Sequence, residues 1–352
     1  MKHQRVCSLT AALLLIFLLP VLLFAGCGES MEKEQEEVEE EDGISIGISF
    51  DSFLIERWER DRDVFVSTAK EAGAEVNVQN ANGDVDIQIE QIRYLIDKDM
   101  DAIVIVGVDS ERLKDVVSEA HAKGIVVVAY DRMLNNANAD LYVSFDNRRV
   151  GELMAEALVK KGDVQTAYML SGPTEDNNVL GVNEGFQDIC AQNGIRVLDV
   201  FYTKGWRPEN AYDFLTQHPS VSDEADALMC GNDSIATQVV RYLAERRKAG
   251  QILVTGQDAE LEACQRIVQG TQLTTIYKPV EKEARAAANA TIALIKGEKV
   301  KGLTGMENDG SYDVPAIVLT PLSVTRENID SIIIDSGFHT RDEVYLYAKE
   351  EN

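Results

Sequence analysis

From Gly43 onward, short apolar runs rich in valine and isoleucine alternate with segments whose apolar residues recur at helical spacing, and the series runs twice. The clearest run is Ile125-Val126-Val127-Val128-Ala129-Tyr130. A continuous β-branched stretch this short suits a central strand of a parallel sheet covered on both faces. Further strands read at 44–50, 74–79, 102–108 and 141–145. Between them lie a helix at 56–72, one carrying Val85, Ile89, Ile92 and Ile96, and one carrying Leu113, Val116, Val117 and Ala120; each set puts an apolar stripe on one helix face. The second series has strands at 165–170, 196–201, 227–230, 252–255 and 273–277 and helices at 177–193, 208–217, 233–249 and 259–269. An alanine-rich helix at 280–296, an extended piece at 316–319 and an irregular tail close the chain. The expected fold is α/β, two doubly wound parallel-sheet lobes with a cleft between their carboxyl edges, where ligands of such sheets bind.

The first 43 residues have a different character. Lys2 and Arg5 precede an apolar run from Leu9 to Gly26, and small residues stand before Cys27, the pattern of a signal peptide over 1–26. The run is interrupted by Pro20 and is marginal for spanning a bilayer. Residues 29–42 carry nine acids and one lysine, so 27–43 reads as an extended acidic tether. The body is therefore expected outside the cytoplasm.

Charge narrows the function. The chain of 352 residues has a formal charge of -26; without 1–26 it is -28, and the tether accounts for -8 of that, leaving -20 on the folded part. Such a surface repels nucleic acid. The four histidines, His3, His121, His218 and His339, have no metal-ligand spacing, so no metal or cofactor is expected. Cys190, Cys230 and Cys264 fall in helix or strand runs and read as buried free thiols. Neither a phosphate-binding Gly-rich loop with Lys-Ser/Thr nor a Gly-x-Ser-x-Gly elbow occurs, which argues against an enzyme.

The residues just past the strand ends carry the functional signal. After the first strand come Glu56, Arg57 and Trp58; after 125–130 come Asp131 and Arg132. In the second half come Asp176, Asn177 and Asn178, then Trp206, then Asn232 and Asp233, then Asp258, then Lys278. Polar groups and both tryptophans of the chain thus recur at one edge of two sheets. Sugar recognition uses this mixture, with aromatic faces against the C–H faces of the ring and Asp, Asn and Arg satisfying hydroxyls. Each residue also has a plainer role open to it. Asp131 and Arg132 can form a salt bridge, Trp58 can begin a core stripe with Phe65, Ala69 and Ala72, and Asn178, Asn232 and Asp258 can cap helices. Trp206 stands on a loop without periodic partners, which favours stacking on a ligand.

The segments Leu54-Ile55-Glu56-Arg57-Trp58-Glu59-Arg60-Asp61-Arg62-Asp63, Tyr130-Asp131-Arg132-Met133, Ser144-Phe145-Asp146-Asn147, Gly256-Gln257-Asp258-Ala259 and Tyr277-Lys278-Pro279 resemble the D-xylose-binding branch of the type I periplasmic binding proteins, which serve ABC sugar transporters. The likeness runs from about Ile44 to His339. It implies lobes joined by a three-segment hinge near 145–147, 278–279 and 312–315, hence a first lobe of 44–146 plus 279–312 and a second of 147–278 plus 313–352. It implies a monosaccharide, D-xylose first, held by Glu56, Arg57, Trp58, Asp131 and Arg132 from one lobe, by Asn178, Trp206, Asn232 and Asp258 from the other, and by Lys278 from the hinge region. It also implies a lipidated Cys27 anchoring a monomer to the membrane. The partner is then an ABC permease or, alternatively, a sensor kinase or chemoreceptor. The loop Ser171-Gly172-Pro173-Thr174-Glu175 departs from the family pattern.

Overall fold

The computed structural model describes residues 43–348. The expected signal peptide, the acidic tether and Cys27 lie outside the described residues. From Gly43 the chain is one compact unit. It begins β1 (Ser45–Phe50), α1 (Arg57–Glu71), β2 (Glu75–Asn80), α2 (Val85–Asp97), β3 (Ala102–Ile105), α3 (Lys114–Ala122), β4 (Val126–Tyr130) and β5 (Leu141–Phe145). Next come α4 (Asn147–Lys161), β6 (Thr166–Ser171), α5 (Asn177–Gln192), β7 (Arg196–Tyr202), α6 (Glu209–Gln217), α7 (Val221–Glu224), β8 (Ala227–Cys230), α8 (Asp233–Glu245), β9 (Leu253–Gln257), α9 (Leu261–Gln269) and β10 (Thr274–Tyr277). The chain ends with α10 (Val280–Ile295), β11 (Gly305–Asn308), β12 (Asp313–Leu319), β13 (Leu322–Val324), a π-helical turn (Asp330–Ile334) and α11 (Arg341–Val344).

Two sheets result, ordered β11-β12-β5-β4-β3-β1-β2 and β13-β10-β9-β8-β6-β7. Every pairing is parallel except β11 with β12 and β13 with β10. The alternation of valine-rich runs with helical stripes therefore folds as its pattern requires. The β4 run is buried on both faces from Val127 on, and Ile92, Leu95 and Ile96 of α2 are fully or almost fully buried.

The chain leaves the first sheet after β5 and returns to it through α10, which packs on α1, β4 and β5. The third crossing corrects the expectation. Residues 313–319 form β12, whose Ala316–Leu319 segment pairs with Tyr142–Phe145 of β5, so the passage to the second sheet falls at Thr320-Pro321 rather than at 312–315. Pro315 looked like a linker residue, but it precedes the four residues that pair with β5, where a missing N–H costs that ladder nothing. The tail is also more ordered than its composition suggests, since Val324 of β13, Ile333 of the π-helical turn and Val344 of α11 share a small core with Ile267, Tyr277 and Val280.

Two helix contacts set the geometry of the cleft. The small side chains of Ala284, Ala287 and Ala288 on α10 are fully buried where it meets α1. In the second lobe, α4 and α5 touch through Gly151 and Gly185: a Cβ at Gly185 would stand 2.1 Å from the Arg148 carbonyl oxygen, and one at Gly151 1.9 Å from that of Val182. Glycine is what lets α5 lie so close and fixes its N-terminus at the cleft.

Candidate ligand-binding site

Both sheets turn their carboxyl edges toward one cavity. In the first lobe, β4 breaks at Asp131, a non-glycine residue at φ +61°. Its N–H still donates to the Val143 carbonyl (2.7 Å), and its own carbonyl accepts from the Ser144 hydroxyl (2.6 Å). That left-handed turn, which aspartate adopts more readily than most residues with a side chain, aims the carboxylate out of the sheet. Arg57, the first residue of α1, meets it at 2.7 Å and is also held by Asp61 (3.2 Å) and Glu283 (2.6 Å). The Arg57 guanidinium lies 4.4 Å above the Trp58 ring. Trp58 is 1 % exposed and packs at 6.2 Å from Phe50, so it is a core residue and a cavity wall at once. Arg132 is tied to Asp51 (2.9 Å) and to the Gly107 carbonyl (2.8 Å).

The second lobe answers with Asp176, which opens α5 by accepting from the Asn178 N–H (3.0 Å). The same carboxylate accepts from the Trp206 indole N–H (3.0 Å) and stands 2.7 Å from Arg132 Nε across the cleft. Trp206 sits at φ +58°, a conformation bulky residues seldom adopt, and its ring covers Gly172 so closely that a Cβ there would lie 2.3 Å from it. Asn178 spans the lobes by donating to the Asp131 carboxylate (2.8 Å) and accepting from Asn147 Nδ2 (2.9 Å). Asp258, at φ +96°, pairs with Lys278 at 2.8 Å.

These groups line about 420 Å³ of atom-free space, mouth included. The two lobes stand close around it, with Asp176 2.7 Å from Arg132 and Asn178 2.8 Å from the Asp131 carboxylate. Of the residues singled out by sequence, Arg57, Trp58, Asp131, Arg132, Asn178, Trp206, Asp258 and Lys278 line it. Glu56 and Asn232 do not. Glu56 is exposed, and Asn232 is fully buried with its Oδ1 accepting from the Ile235 N–H (2.9 Å), capping α8. The wall also includes Ser171, Gly172, Asp176, Gly231 and Gln257. Asp176 was visible only as one of a polar run after a strand, and Gln257 only as a neighbour of Asp258. Neither has a sequence mark separating a cavity wall from a helix cap.

The charges are arranged in pairs. Burial works against the Asp131 charge, but Arg57, Lys278 and Arg132 outweigh it and hold its carboxyl below the ordinary range. Burial pushes Asp51 and Asp176 up, against the pull of Arg132. Asp131, Asp176 and Asp258 each face a cation, and the Ser171 hydroxyl donates to Asn183 (2.7 Å) rather than to a base. Trp58 Nε1 and Gln257 Oε1 are buried in the wall without a hydrogen-bond partner. A buried donor or acceptor left unmatched costs about 1–3 kcal/mol, so the wall favours a neutral ligand offering both. Among the described residues, no group of three or more His, Cys, Asp or Glu side chains is placed to hold a metal ion.

Residues 46–299 match the family described as periplasmic binding protein domain. The chain is 38% identical over 307 residues to the D-xylose-binding periplasmic protein of Haemophilus influenzae, covering 86% of this chain and 92% of that one. It is 37% identical over 306 residues to the protein of the same description in Escherichia coli, with the same coverage. Among solved structures, a carbohydrate transporter solute-binding protein of Chloroflexus aurantiacus in complex with D-glucose superposes with TM-score 0.77 at 26% identity, over 85% of this chain and 98% of that one.

Proposed function

This chain belongs to the type I periplasmic sugar-binding proteins, the non-enzymatic, extracytoplasmic solute-binding proteins of ABC transporters, and from that premise we propose that its ligand is D-xylose. The observation that carries the reading is the convergence of three carboxylate–cation pairs and two tryptophans, drawn from two sheets, on a single cavity. Arg57, Asp131 and Arg132 bond the hydroxyls from one side and Asn178, Asp258 and Lys278 from the other, with Trp58 and Trp206 covering the ring faces. Asp176 serves as the brace that orients both Arg132 and Trp206. Glu56 and Asn232 act at one remove, Asn232 by capping the helix that starts at the cavity edge.

Micromolar capture requires about -8 kcal/mol. Hydrogen bonds to charged groups contribute roughly 1.5–3 kcal/mol each, so five or six of them with stacking exceed that and offset ordering costs. A sugar touching both lobes binds the closed arrangement better than an open one, so it shifts the population toward closure, the shape a permease reads.

The test is a thermal-shift screen of the mature protein against monosaccharides, followed by calorimetry. D-xylose should raise the melting temperature most, because at equal concentration L the ligand with the lowest Kd stabilises the folded state most, as RT ln(1 + L/Kd). A larger shift with glucose, ribose or arabinose would reassign the ligand, and no shift with any would end the reading. We further propose attachment to the cell membrane through a lipidated Cys27: Cys27→Ser should move the protein from the membrane fraction to the soluble one.

A further inference from the structure

Behind the cavity wall, the Arg57 guanidinium carries three carboxyl groups on its nitrogens. Asp131 takes Nη1 at 2.7 Å, Asp61 spans Nε and Nη2 at 3.2 Å, and Glu283 takes Nη2 at 2.6 Å. Asp61 and Glu283 are fully buried, and Glu283 does not line the cavity. It stands in the first turn of α10, just past the Lys278-Pro279 segment where the chain leaves the second sheet. Resting on the reading of the cavity as a sugar site, we propose that Glu283 is a positioning residue for ligand binding: it holds the far edge of Arg57 so that the near edge and Asp131 present donor and acceptor at fixed angles.

The chemistry at position 283 is set by charge balance. Arg57 and Asp61 face Glu283 from α1, Tyr130 and Asp131 from the end of β4, Tyr142 from β5, and Lys278 from the connector. Lys278 is already paired with Asp258 at 2.8 Å. Three ionised carboxylates around one guanidinium in a dry interior carry surplus negative charge that burial makes expensive. Asp131 is held in its charged form, and Asp61, which burial also raises, accepts from Arg57 Nε and Nη2 and from the Tyr130 hydroxyl, three donors that favour its charged form over that of Glu283, which has one. Glu283 has one oxygen, Oε1, with no hydrogen-bond partner, and burial raises its carboxyl well above the ordinary value. It therefore holds Arg57 as a neutral acid, whose carbonyl oxygen accepts from Nη2.

A neutral acid has glutamine as its near-isostere, which makes the inference sharp. In full-length mature protein, Glu283→Gln should bind the sugar within about twofold of wild type. Glu283→Met, of similar volume but with no oxygen to accept, should weaken binding tenfold or more at a similar melting temperature. Equal loss in both variants overturns the neutral-acid clamp, and unchanged affinity in Glu283→Met overturns positioning altogether. A pH series gives an independent reading should Glu283→Met fail to fold. A raised carboxyl contributes stability at acid pH that is lost as pH rises, so Glu283→Gln should gain on wild type as pH climbs above the ordinary carboxylate range; a glutamine variant that loses ground on wild type over that climb overturns the proposal. Wild-type protein in the same titrations separates the two ideas, since its failure to bind any monosaccharide would sink the sugar reading and leave the pH comparison standing.

Discussion

Three cavity residues, Asp131, Trp206 and Asp258, adopt positive φ without being glycine. Most other residues of this kind here, such as Asn82, Asp99 and Asn136, are the Asn and Asp for which the left-handed region is mild. Trp206 is different, because its ring is bulky and its indole must reach Asp176 while covering Gly172. Trp206→Ala should cut sugar affinity at least tenfold, about 1.4 kcal/mol, while circular dichroism stays native; an unfolded variant would mean that the ring serves the core. The sequence made this residue legible as a lone aromatic on a loop. Trp58 was ambiguous between core and site, and the ambiguity was physical, since the ring does both. Asp176 and Asn232 were harder. A carboxylate or amide before a helix reads as a cap, and in the fold both are caps, yet only Asp176 also reaches the cavity. Nothing local distinguishes them, because the difference lies in a partner from the other lobe, Arg132, that comes within reach of Asp176.

At the level of elements, the strand and helix pattern was readable because each run has one period and sits between turn residues. The third crossing was misplaced because a proline at the start of a strand looks like the end of one. The contact between α4 and α5 makes a further point, as two glycines in helices are usually a weakness. Gly151 and Gly185 instead let α5 approach until its N-terminal Asp176 and Asn178 meet the opposite lobe. Gly185→Ala should destabilise by about 1–3 kcal/mol through overpacking against the Arg148 carbonyl, read as a lowered denaturation midpoint. If the midpoint holds, the helices are free to part, and sugar affinity should be measured next.

For the molecule as a whole, stability is coupled to pH through carboxyls buried at the starts of α8 and α9. Burial lifts Asp233 from 3.8 to about 7 and Glu260 from 4.5 to about 8, with acidic neighbours adding to the shift. Both are raised in the folded state, so the folded protein keeps protons that an unfolded chain releases. Their contribution is fully present below about pH 4 and fades as pH climbs through 7 and 8. Glu260→Gln should flatten the melting curve between pH 5.5 and 8.5, and an unchanged slope would assign the effect elsewhere. One further whole-molecule property comes from Lys278, which both lines the cavity and belongs to a segment joining the two sheets. A sugar that engages it grips the axle as well as the jaws. On the proposed reading occupancy and bending share one lever, and a replacement at that position should change capture and the swing of the lobes together.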